Sequence, residues 1–224
     1  MNEYKGISMF KVSKEQHRRL LVSLWVMIDL IVIRCCILPL LPIFAGISHS
    51  ILLQFLAESP ILTIVLDAAV VVCECVILNE LRVALRRIAH WGQWICVVVM
   101  VGLALEFISN SVFIWFEPDP TFYFSTPSAI LSYLQKGSSY LLFGAWFVLV
   151  CILFFTFSGR LKDTSLALLA LLIMKNVGEF VFTTSFNRRL VVENSLVGVI
   201  LFFVSLLFYY YIYKCFETTK DPQE

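Results

Sequence analysis

The chain is predicted to be an all-α, polytopic integral membrane helix bundle of about six transmembrane helices, with both termini cytoplasmic. Three observations predict it. Of its 224 residues, 60% are hydrophobic and 15% charged, at a mean hydropathy of +0.88. Soluble domains run roughly 45–50% apolar and about 25% charged. The apolar residues gather into six runs, each long enough to cross ~30 Å of hydrocarbon at ~1.5 Å per residue. Lys and Arg are divided unequally between the connections. Backbone groups cannot go unpaired in lipid, and the runs lack period-2 alternation, so they are read as helices.

Residues 1–19 are polar and basic and form a cytoplasmic segment. Within it Ser13-Lys14-Glu15-Gln16 fits a capping box, so a helix is expected to start near Ser13 and enter the first span. A basic stretch before an apolar run also suggests a signal peptide. The run over 20–44 exceeds a signal core of ~7–15 residues and lacks a small-residue cleavage site, so it is read as a retained span. Pro39 and Pro42 should kink or end it.

The remaining spans are placed at 60–80, 92–116, 138–158, 164–186 and 194–214. Together 20–214 make a single transmembrane domain, followed by a cytoplasmic tail over 215–224. The 45–59 connection, with Leu52, Leu53 and Phe55, should lie in the interface. So should the one long outer loop, 117–137, whose 128–135 stretch could form a short amphipathic helix or a lid.

Orientation follows from the basic residues. Lys5, Lys11, Lys14, Arg18 and Arg19, then Arg82, Arg86 and Arg87, then Arg160 and Lys162, and finally Lys214 and Lys220 fall on one side. Lys136, Arg188 and Arg189 fall on the other. Twelve against three places the first side in the cytoplasm of a plasma or inner membrane. The Arg188–Arg189 pair is dissonant, and keeps open an odd number of spans or a hairpin formed by the last two. Trp25, Trp91, Trp94, Trp115 and the tyrosines over 209–213 sit near span ends, the depth that aromatic rings favour.

Function is sought in ionisable residues at lipid depth, where each charge costs at least ~2.5–3.5 kcal/mol. These are Asp29, Arg34, Asp67, Glu74, Glu106, Lys175 and Glu179. Asp67 and Glu74 are seven apart and share a helix face, while Lys175 and Glu179 can pair at i,i+4. Asp29 and Arg34 point ~140° apart, so Arg34 is expected to reach span 2 or 3 for its partner. Five acids face two bases, leaving three carboxylates over. Desolvated carboxylates serve as proton carriers or cation ligands, or hydrogen-bond and specify packing.

Asp67, Glu74, Glu106 and Asn110 are therefore the candidates for a substrate or ion path. Arg34, Lys175, Glu179 and Asp29 are the buried counter-ions. Spans 4 and 6, which carry no charge, should face lipid or a partner, either another membrane protein or a second copy.

Other chemistry is thinly represented. Seven scattered cysteines form no C-x-x-C pair, and Cys35–Cys36 and Cys73–Glu74–Cys75 are read as packing residues. Three histidines near span ends argue against haem or a metal site, so no cofactor and no metal are expected. No G-x-S-x-G, H-E-x-x-H, P-loop or G-x-x-x-G occurs. The net charge of +1 speaks against nucleic acid. The leading expectation is a small translocator or translocator subunit for a proton or small cation. A non-catalytic scaffold or regulatory subunit comes second, and an intramembrane enzyme on a lipid substrate ranks last.

Overall fold

The structure is a computed structural model that describes residues 10–48, 59–86, 89–116, 126–184, 200 and 203–218. A short strand, β1 (Phe10–Val12), leads into α1 (Lys14–Val32). Ser13 caps α1 reciprocally: the Gln16 N–H donates to Ser13 Oγ at 3.2 Å, and the Ser13 N–H donates to Gln16 Oε1 at 3.2 Å. The capping box thus satisfies two backbone donors that a helix start leaves orphaned.

The apolar stretch over 20–44 changes helix type instead of ending. After α1 the chain makes a π-helical turn over Ile33–Ile37, a 3₁₀ turn over Leu38–Leu40, and then α2 (Leu41–Ser48). The cause is proline. Pro39 has no N–H to offer the carbonyl of Cys35. The Leu38 N–H bonds instead to the Ile33 carbonyl, five residues back, which widens the turn and places Arg34 in it. The interfacial reading of Leu52, Leu53 and Phe55 concerns residues outside those described.

Three long helices follow. They are α3 (Pro60–Leu85), opened by a proline at its first position, α4 (His90–Phe116) and α5 (Thr126–Thr156). All three are long and apolar enough to cross a membrane, α5 from Pro127. At 26, 27 and 30 residues they exceed the ~20 that a bilayer requires. The stretch 128–135, expected as a separate helix lying in the interface, forms the first turns of α5. Pro127 sits where a helix tolerates proline, in the first turn, so nothing interrupts the backbone ladder from there into the apolar run.

Gly159 joins α5 to α6 (Arg160–Thr184). Its φ of +76° lies in the left-handed region that costs glycine nothing, and only residues 157–159 separate the two helices. A last helix, α7, covers 203–214 and is followed by β2 (Phe216–Thr218), which pairs in parallel with β1.

The described residues form two compact units. One holds the residues up to Leu21, Glu80–Cys96 and the chain from Phe143 onward. Its core is Leu20, Ile212 and Phe208 with Leu81 and Leu85 of α3 and Leu149 and Leu153 of α5. Trp146 of α5 meets Phe208 and Tyr209 of α7 edge-on, with ring centroids 5.9 and 6.1 Å apart. Spans 4 and 6, the two without charge, pack together and supply much of this core, while Phe155 and Phe203 on their other faces stay exposed. Lack of charge does not separate a lipid-facing helix from a packed one, since lipid tails are as apolar as leucine.

The other unit holds Val22–Asn79 and Val97–Leu142. In it α4 and α5 approach closely at Gly102, where an added Cβ would lie 3.0 Å from Leu142 Cδ1 and 3.4 Å from Leu142 Cα.

Candidate functional site

The polar contacts between helices fall into three groups. The first joins the π turn to α3. Arg34 Nε lies 2.8 Å from Asp67 Oδ1, with Arg34 48% exposed and Asp67 14%. The partner sought for Arg34 is thus on span 2. The contact is an ion pair by distance, but its N–H is not aligned on the oxygen. Asp67 Oδ1 is fully buried and receives no hydrogen bond among the described residues. Asp29, one turn earlier, is exposed, and Glu74, two turns along α3 from Asp67, is half-buried.

The second group is a ladder between α4 and α5. The Gln135 amide donates to Asn110 Oδ1 at 2.7 Å, and Ser139 Oγ donates to Glu106 Oε1 at 3.3 Å. Glu106 and Asn110 are i,i+4 on one helix, and Gln135 and Ser139 are i,i+4 on the other. Antiparallel helices bring such pairs into register, and Gly102 against Leu142 continues the same register one turn further. Ser109 and Ser111, beside these residues on α4, turn back onto α4 carbonyls at 2.9 and 2.8 Å. A serine that bonds its own helix contributes nothing across the seam.

The third group lies at the start of α1. Glu80, near the end of α3, is only 6% exposed, among the buried Ile77, Leu81 and Leu85. Gln16 Nε2 donates to Glu80 Oε2 at 3.2 Å, and Arg19 approaches Oε1 at 4.0 Å. One helical turn of α1 thus presents both partners to a single carboxylate.

Of the residues singled out from sequence, the structure brings together Arg34 with Asp67. It does not join Asn110 and Glu106 to that pair; each binds α5. Lys175 and Glu179 lie in α6, but their side chains are outside the described set. Glu80, Gln16, Gln135 and Ser139 were missed. Glu80 stood at a span end, where a carboxylate is usually solvated. Gln135 and Ser139 were legible only as an i,i+4 polar pair matching that of Glu106 and Asn110. Among the described residues, no three His, Cys, Asp or Glu side chains gather as they would around a metal ion.

Fold and site describe a helical chain with three helices long and apolar enough to cross a membrane and with polar pairs set between helices. No protein family, curated protein or solved structure matches the chain.

Proposed function

We propose that the chain is a small membrane translocator, or a subunit of one, with a polar intramembrane path for a proton or small cation. The Arg34–Asp67 pair carries this reading. An acid and a base in contact inside the bilayer form an element with two arrangements. Ionised Asp67 holds Arg34. Once the carboxylate takes up a proton or a cation, that attraction is lost, and Arg34, half-exposed on its π turn, can swing away. The unaligned Asp67 oxygen leaves acceptor capacity for an incoming donor or ion. Glu74 lies two turns along the same helix, and Glu106 and Asn110 offer further oxygens on α4.

The test is flux in proteoliposomes, read by an internal pH dye under a proton gradient and by tracer uptake for Na⁺ or K⁺. Asp67→Asn and Glu106→Gln should abolish flux while expression and helix content stay unchanged. Normal flux in both variants would sink the proposal.

A second reading, a scaffold or regulatory subunit of a membrane assembly, is favoured by the α4–α5 ladder. It engages Glu106 and Asn110, two of the four path candidates, in helix–helix contacts. A second protein held stoichiometrically in mild detergent would support that reading, and a lone stable monomer would count against it.

A further inference from the structure

We infer that the segments flanking the first and last helices are clasped together on one side of the membrane, so that the chain crosses an even number of times. The clasp has four parts. β1 and β2 pair in parallel, with Phe10 opposite Phe216, Lys11 opposite Glu217 and Val12 opposite Thr218. One turn into α1, the His17 ring packs on the Tyr213 ring at the end of α7, with centroids 4.9 Å apart. Phe216 and Cys215 are buried. Glu80 then latches the start of α1 through Gln16 and Arg19.

These contacts fix topology by counting. The start of α1 and the end of α3 meet at Glu80, hence on one side. Since α3 crosses once, the chain between Lys14 and Ser48 must cross once as well. That is the stretch whose helix persists through its prolines. From the end of α3, α4 crosses away and α5 crosses back, delivering the start of α6 to the original side. β2 ends on that side too, beside β1. So α6 and α7 cross both together or not at all. An odd number of spans, left open by Arg188 and Arg189, conflicts with the clasp.

The inference rests on α3, α4 and α5 being spans, and the experiment separates that premise from the clasp. The full chain carrying Lys11→Cys and Glu217→Cys is treated in sealed vesicles with copper phenanthroline and oxygen, which oxidise two adjacent thiols to one disulfide. Peptide mass spectrometry should find 11 joined to 217 in most molecules. Lys11→Cys combined with Thr121→Cys, across the membrane, should give no such link. Absence of the 11–217 disulfide overturns the clasp. Cysteines introduced one at a time at 11 and 217, located by peptide mass spectrometry among the native ones, should react with an impermeant maleimide from the same side, and labelling from opposite sides overturns the even count. Thr121→Cys labelled from that same side as well would instead refute the crossing of α4 and α5.

Discussion

The seam between α4 and α5 makes two glycines behave oppositely. Alanine in place of a helix-interior glycine gains about 0.8–1.0 kcal/mol of helix propensity where space allows. Gly144 has nothing within 4 Å of its added Cβ, so Gly144→Ala should take that whole gain. At Gly102 the same methyl would stand 3.0 Å from Leu142 Cδ1, 3.3 Å from its Cβ and 3.4 Å from its Cα. Leu142 is buried, so the side chain cannot simply rotate away, and its Cα cannot move without its helix. Overpacking of this kind costs about 1–3 kcal/mol.

The net for Gly102→Ala is therefore about 1 kcal/mol of destabilisation, and the two variants should differ by about 1–3 kcal/mol. In a Leu142→Ala background, measured against Leu142→Ala alone, the 3.0 Å contact is gone but those to Cβ and Cα remain, so Gly102→Ala should there lose only part of its cost. Reversible unfolding by SDS in mixed micelles, followed by far-UV circular dichroism, measures all three. If Gly102→Ala stabilised as much as Gly144→Ala, α4 and α5 would not be in close contact there, and the register of the polar ladder would fall with it.

Further outcomes test other parts of the structure. A double-mutant cycle of Asn110→Ala and Gln135→Ala in the same assay should give a coupling near the upper end of the ~0.6–1.7 kcal/mol seen within membranes, because the bond is short at 2.7 Å. A coupling indistinguishable from zero would remove that rung. Burial pushes the Cys215 thiol, just past α7, up to about 11 from its ordinary 9.0. At pH 8 only about one molecule in a thousand then carries the thiolate, so maleimide labelling should be slow and rise about tenfold per pH unit up to pH 10. Fast labelling at pH 8 would show the site to be open. Asn187→Cys, between α6 and α7 and outside the described residues, should be labelled from the side opposite Lys11→Cys if six spans are present. Labelling from the same side would leave four.

Several features were legible in the sequence for physical reasons. A capping box needs only four residues, and Ser13 and Gln16 form it as read. Long apolar runs without alternation leave a helix as the sole solution in lipid, which located α3 and α4 to within a few residues. The site was less legible. Arg34 could be expected to leave Asp29 for another helix, because helix geometry alone separates them. Which acid would receive it depended on the π turn that Pro39 imposes, and that is a matter of backbone pairing. Gln135 escaped notice because a run of mixed polarity after a proline also fits an interfacial helix. Only its continuity with the apolar turns beyond it decides between the two. Glu80 was hidden by position, since nothing in its neighbours says whether water or another helix covers it.

The β1–β2 pairing bears on how the protein is made. Almost the whole chain separates Phe10 from Phe216, and at ~5–20 residues per second the second strand leaves the ribosome about 10–40 s after the first. During that interval the first strand has no ladder partner. Glu80 emerges much sooner, so its bonds to Gln16 and Arg19 are available to hold the start of α1 while the later helices insert. The strands can then pair only after every helix between them has been made. Closure of that last contact marks a chain whose helices between the strands have all been made, and a chain stalled before Phe216 is left with the β1 edge bare.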